Sequence, residues 1–213
     1  MFRLPSSLAV SAASAALLLA TPAAALPIVD GDFSGLSGAE TIVDFDEIAL
    51  TPFQTVTTEF AALGVSFSPN VWFENTRFFA NFDGASLANF RSSAAPGGAL
   101  PPIPFTISFV TAMSDFAAFF ATNTGNTITL EAFLGASSVE TLSFTDTACC
   151  GGHVLGFSQI LFDSIQVSGT DLIILDEFHF ENTAPPVIPE PSTSALLIPG
   201  LFGLALFGRR RTS

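Results

Sequence analysis

Phe105-Thr106-Ile107-Ser108-Phe109 carries an apolar side chain at every second position, and Thr127-Ile128-Thr129-Leu130-Glu131 and Leu142-Ser143-Phe144 keep the same period. A period of two sends alternate side chains to opposite faces of an extended chain, so each stretch reads as a half-buried strand. Working outward, further strands are expected at Thr41 to Phe45, Val65 to Phe67, Phe116 to Ala121, Val154 to Phe157, Ile165 to Val167 and Leu172 to Phe180. Turn residues separate them at Asn123-Thr124-Gly125-Asn126, Gly135-Ala136-Ser137 and Ser168-Gly169-Thr170, and in the Pro/Gly-rich stretch from Ala94 to Pro104. Only Thr55 to Leu63 is helix-capable, with Gly64 placed to stop it. Many short strands with one weak helix predict an all-β chain, an antiparallel β-sandwich of jelly-roll type.

The sandwich is expected from Leu26 to Glu181, one domain's worth of chain and large enough to bury a core of its own. Its charge is lopsided. This segment holds eighteen of the nineteen acidic residues, its only bases are Arg77 and Arg91, and the whole 213-residue chain has no lysine. Nucleic acid is a poor partner for such a surface, because phosphate binding needs clustered Lys and Arg. Divalent cations are attracted to it, although an acidic surface can equally serve solubility alone.

Both ends are apolar and differ from the core. Met1 to Ala25 has one positive charge at Arg3, an apolar region from Leu8 to Ala20, and the small residues Ala23-Ala24-Ala25. That order predicts a signal peptide cut after Ala25 by signal peptidase, and hence export. After the Pro-rich linker Asn182-Thr183-Ala184-Pro185-Pro186-Val187 come Ile188-Pro189-Glu190-Pro191, an uncharged run from Ser192 to Phe207, and Arg209-Arg210-Arg211. As a helix the sixteen-residue run would span about 24 Å, short of the roughly 30 Å of a bilayer's hydrocarbon core. Pro199 and Gly200 lie inside it, where a membrane helix tolerates a kink. The arginines should stay cytoplasmic and act as the membrane stop.

Motif, apolar segment and basic stop in that order, Ile188 to Ser213, resemble the PEP-CTERM sorting signal of Gram-negative bacteria. The resemblance implies a chain held transiently in the inner membrane by its C-terminal helix, with Pro189, Glu190 and Pro191 as the sorting motif for an exosortase-type membrane enzyme. It also implies a destination at the cell surface or outside the cell, in an exopolysaccharide or biofilm matrix. A second, more distant resemblance rests on Val43-Asp44-Phe45-Asp46-Glu47, Leu63-Gly64-Val65-Ser66-Phe67, Ile107 to Phe109, Gly156-Phe157 and Asp176-Glu177-Phe178. This progression is similar to galactose-binding-like and carbohydrate-binding modules. Two functions follow: a non-catalytic envelope or extracellular protein, or a carbohydrate-binding module or glycan-active enzyme that uses the same route.

Candidate site residues are few. Strict alternation along Leu172 to Glu181 would put Asp176 on one face with Phe178 and Phe180, where a carboxylate needs a partner. One partner is a structural Ca²⁺, with Asp44, Asp46 or Glu47 supplying further oxygens if the first and last strands are neighbours; backbone amides, Arg77 or Arg91 are the others. Trp72, in Asn70-Val71-Trp72-Phe73-Glu74-Asn75, is the one strong candidate for a sugar platform in a chain of twenty-four phenylalanines and no tyrosine. Core packing is its other reading.

Cys149 and Cys150 are adjacent and followed by Gly151-Gly152-His153. An oxidising compartment favours pairing them, as a strained vicinal disulfide; free thiols and an intermolecular bridge remain as alternatives. A zinc site made from Cys149, Cys150 and His153 runs against the usual spacing within a ligand pair. Neither His153 nor His179 lies in a hydrolase elbow, a zinc-protease motif or a phosphate loop, and no catalytic residue is assigned.

Overall fold

A strand of alternating pattern is stable only when its apolar face meets another sheet, and the chain satisfies this with two antiparallel sheets packed face to face. The computed structural model describes residues 26–29, 33, 36, 40–74, 85–90, 101–148 and 151–181. The expected signal peptide, the linker, the sorting signal and the Cys149-Cys150 pair lie outside the described residues. No helix among the described residues is long and apolar enough to cross a membrane.

The strands are β1 (Leu26–Val29), β2 (Thr41–Val43), β3 (Val65–Phe67), β4 (Trp72–Glu74), β5 (Ser86–Ala88), β6 (Phe105–Met113), β7 (Asp115–Ala121), β8 (Thr127–Leu134), β9 (Ser137–Thr145), β10 (Gly152–Ser158), β11 (Phe162–Gly169) and β12 (Ile174–Glu181). One sheet runs β1-β10-β7-β12-β5-β4, with β2 also paired to β12; the other runs β3-β6-β11-β8-β9. The last eight strands therefore form two four-stranded layers, β5-β12-β7-β10 and β6-β11-β8-β9, which is jelly-roll order. The added strands β1, β2, β3 and β4 extend or double these layers. Of these, β1 and β4, and also β5, are too short or too uniformly apolar for alternation to reveal them.

The expected helix is corrected by the structure. Gln54 and Val56 spend their backbone groups on Phe73 and Val71, and Thr55 bridges to Trp72, so only Ala61–Leu63 closes a 3₁₀ turn. Gly64 ends it in the left-handed region, at φ 92°, as the sequence indicates. Glu59 shapes the approach to that turn by accepting from the Thr57 and Thr58 amides at 2.6 and 2.9 Å. Burial pushes its carboxyl up, but these bonds, its own amide and Gln54 outweigh burial and hold it below the usual range.

The space between the sheets is filled largely by phenylalanine. Phe45, Phe60, Phe116, Phe120, Phe157, Phe162 and Phe178 are completely buried. Phe45 meets Phe60 edge to face at 5.4 Å and lies parallel to Phe178 at 6.3 Å; such pairs contribute about 0.5–1.5 kcal/mol beyond area burial. Strands β7 and β10 approach closely at Gly156, where a Cβ would stand 2.0 Å from the Phe116 carbonyl oxygen.

Strand β12 breaks strict alternation. Its register against β7 shifts between Asp176 and Phe178, and Glu177 has φ 34°, the signature of a β-bulge. Leu175, Phe178 and Phe180 all face the core, while Asp176 pairs with Phe119 and His179 with Ala117 on the outer face. The expectation that Asp176 shares a face with Phe178 is thus corrected: one extra residue moves it to the other side.

Candidate functional site

The bulge creates a fork. Below it β12 pairs with β2 through Phe178↔Val43, His179↔Ile42 and Phe180↔Thr41; above it β12 pairs with β5 through Ile174↔Ala88 and Leu175↔Leu87. Both partners lie on the same side of β12, so β2 must leave the sheet at the bulge, and it leaves as Asp44-Phe45-Asp46-Glu47. Phe45 has φ 64°, uncommon for a residue with a side chain. The turn drives its ring into the core and leaves Asp44, Asp46 and Glu47 exposed.

Carboxylate oxygens of these three residues lie within 4.8 Å of one another. The turn is held by the Asp44 amide donating to Glu47 Oε1 at 3.1 Å and the Asp46 amide donating to Asp44 Oδ1 at 3.2 Å. Two carboxylates about 4 Å apart repel by about 1 kcal/mol even at the dielectric of water. Calcium takes oxygens at about 2.3–2.6 Å, so a single ion can touch three donors with this mutual spacing. Asp176 is not in the group: it is 7 % exposed, and its Oδ1 accepts from the Glu177 amide at 2.8 Å. The expected pairing of an early strand with the last one is present, but it brings the acidic turn to the fork and leaves Asp176 outside the cluster.

Trp72 is 5 % exposed and lies opposite Ala88 on β5, in the outer-face row that continues through Ile174 and Ala121. Its ring is packed there rather than displayed. His179 lies below the fork, with Nδ1 at 2.9 Å from Glu40 and Nε2 at 3.2 Å from Glu177. The ring of Phe33 stacks on it at 3.8 Å. Glu177 is close to His179 in the chain; Glu40, far away in sequence, was not legible.

A second polar assembly closes one end of the sandwich, where the β7–β8, β9–β10 and β11–β12 connections meet. Asn123 and Asn126 donate to Asp171 Oδ2 at 2.9 and 3.2 Å, and the Thr170 hydroxyl donates to Asn126 Oδ1 at 3.1 Å. Gly125 N donates to the Asp146 carbonyl at 2.7 Å, joining the third loop. Sequence reading marked the Asn123–Asn126 turn but gave no sign that Asp171 would anchor it. A cleft of about 440 Å³ opens at the far end, between Thr41, Leu63, Val110, Met113, Phe180 and Glu181.

No protein-family model matches the chain, and no curated protein matches it. Among solved structures it is similar to a family 6 carbohydrate-binding module studied by binding sub-site dissection, at 11 % identity and a TM-score of 0.35 over 67 % of this chain and 94 % of that one. It is similar to CsCBM6-3 from Clostridium stercorarium, in complex with cellobiose, at 12 % identity and a TM-score of 0.32 over 55 % and 87 % of the two chains. TmCBM61, in complex with β-1,4-galactotriose, gives 9 % identity and a TM-score of 0.30 over 62 % and 94 %. Likenesses of this size assign no ligand.

Hydrogen bonds from Asn123, the Leu172 amide and Asn126 hold the Asp171 carboxyl below the usual aspartate range. A depressed carboxyl stabilises the fold above its unfolded value, about 3.9, and loses that contribution as pH falls through its folded value. Asp171→Asn should therefore lower the melting temperature at neutral pH, with the gap to the parent chain narrowing below about pH 4; thermal melts across pH check this.

Proposed function

We propose that this chain is an exported, non-catalytic protein of the cell envelope or extracellular space, sorted by its C-terminal signal and associated with an exopolysaccharide or biofilm matrix. The observation that carries the reading is the order at the C-terminus: Pro189-Glu190-Pro191, an uncharged apolar run, then Arg209-Arg210-Arg211. On this reading signal peptidase removes Met1 to Ala25, the apolar run holds the chain briefly in the inner membrane, and an exosortase-type enzyme acts at the motif. The acidic, lysine-free sandwich is the cargo. Intact-mass measurement on envelope and medium fractions of the native host tests it. A form lacking both Met1 to Ala25 and the segment from about Pro191 onward is expected. A mature form that keeps Arg209 to Arg211 everywhere would sink tail-directed processing.

Calcium at the fork belongs to the same proposal. Asp44, Asp46 and Glu47 supply the carboxylates, and the ion offsets their mutual repulsion while fixing the turn that seats Phe45. Chelator should lower the melting temperature of the purified chain, and Asp46→Asn should remove the difference. An unchanged melting curve rules the site out.

A second reading, carbohydrate binding, is favoured by the Asn123, Asn126, Thr170 and Asp171 assembly, since amides and hydroxyls at a solvent-facing loop end are the groups that exchange hydrogen bonds with sugar hydroxyls. Titration against a broad polysaccharide panel separates the readings. Saturable binding that Asn123→Ala weakens about tenfold, a loss of about 1.4 kcal/mol, supports the second; neither binding nor turnover across the panel leaves the first. Trp72→Ala serves as the companion variant, and because the ring is packed it is read only alongside a melting curve.

A further inference from the structure

The His179 side chain is only 5 % exposed, and each of its ring nitrogens meets a carboxylate. Nδ1 lies 2.9 Å from Glu40 Oε2, and Nε2 lies 3.2 Å from Glu177 Oε1. Glu40 stands immediately before β2, Glu177 is the residue at the bulge of β12, and Phe33 covers the ring face at 3.8 Å. One imidazole thus joins the entry of β2 to the bulge. An ionised carboxylate can only accept hydrogen bonds, and a neutral imidazole has one N–H and one bare nitrogen. With a single proton the ring satisfies one carboxylate and turns a lone pair toward the other. With two protons it donates to both, in charge-assisted bonds.

The neighbouring strands add no positive charge. Opposite His179 stand Ala117 on β7 and Ile42 on β2. The other carboxylates on this face of β12 are Asp176, before the bulge, and Glu181, two residues beyond the ring; both are buried. Asp115, opposite Glu181 on β7, accepts from the Ser158 hydroxyl and the Gln159 amide. No lysine or arginine is present among the described residues, so every other charged group on this face there is acidic. The two arms of the contact are unequal. Glu40 is nearer and 31 % exposed, whereas Glu177 is 52 % exposed and turns readily to water. A ring with one proton therefore keeps it on Nδ1 for Glu40 and lets Glu177 go.

We propose that His179 is a proton-operated clasp that fastens the entry of β2 to the bulge of β12. Doubly protonated, it donates to Glu40 and Glu177 together; when Nε2 gives its proton to solvent, the Glu177 arm opens and the Glu40 arm stays. The full-length chain, isotope-labelled at its two histidines, is studied by NMR at about pH 5 and about pH 9, with His153→Gln to assign the signals. Both ring nitrogens of His179 are expected to carry a proton at the lower pH, and Nδ1 alone at the higher. Hydrogen exchange supplies the mechanical readout. Protection of the Ile42, Val43 and Phe178 to Phe180 amides, relative to β8 and β11, should fall about threefold or more between the two conditions. Glu177→Gln, at an exposed position, should abolish that fall, because its amide accepts from the charged ring and donates to the neutral one. A ring with one proton at the lower pH, a neutral ring protonated on Nε2, unchanged protection, or a fall that persists in Glu177→Gln overturns the proposal.

Discussion

The bulge at Asp176-Glu177 is the constraint on which the arrangement depends. Strand β12 pairs along its length with β7 and on its other side with β2 and then β5, and its register against β7 shifts between those two pairings. The extra residue absorbs the change. It lets Leu175 above and Phe178 below face the same core, and it opens the gap through which the acidic turn leaves the sheet. Without it, Phe178 and Phe180 would face outward, because a shift of one residue inverts every side chain that follows.

The core then explains the composition. Phenylalanine offers a large ring with no polar atom, so it can be buried completely in a space between sheets where no donor or acceptor is available. The rings meet at edge-on and tilted angles, Phe109 with Phe162 at 72° and Phe109 with Phe180 at 53°, as ring quadrupoles favour. Polar groups are displaced to the ends and the outer face. There Asp115 takes hydrogen bonds from Ser158 and Gln159 at 2.7 and 3.0 Å and ties the β10–β11 turn to β7. At the opposite end, Asn89 Oδ1 accepts from Ile173 at 2.7 Å and joins β5 to the start of β12.

Three features of chemical interest follow from this division: the carboxylates of the fork, the Asp171 assembly, and the pair of Asp146 and His153, whose Oδ1 and Nε2 atoms lie 3.5 Å apart. Each sits where the chain leaves a strand, since backbone groups inside a strand are committed to the ladder and only the connections are free to turn side chains toward one another. All three are built around carboxylates, and no lysine or arginine is present among the described residues. Amide donors and metal ions are the counterparts such a surface accommodates.

Sequence alone determined the fold class, since alternation in Phe105 to Phe109 and Thr127 to Glu131 depends only on the two-residue period of an extended chain. It also determined the Asn123–Asn126 turn and the stop at Gly64, both local consequences of residue type. It overread Thr55 to Leu63, because helix propensity is weak beside backbone pairing with a distant strand. Tertiary structure decided the rest: the side of the sheet on which Asp176 lies, through a bulge that no composition signals; the packing of Trp72; and the meeting of Asp146 with His153 and of His179 with Glu40. These depend on register and on which strands become neighbours. Such long-range pairings are fixed by the burial of the whole core at once, and a local stretch of sequence carries no record of them.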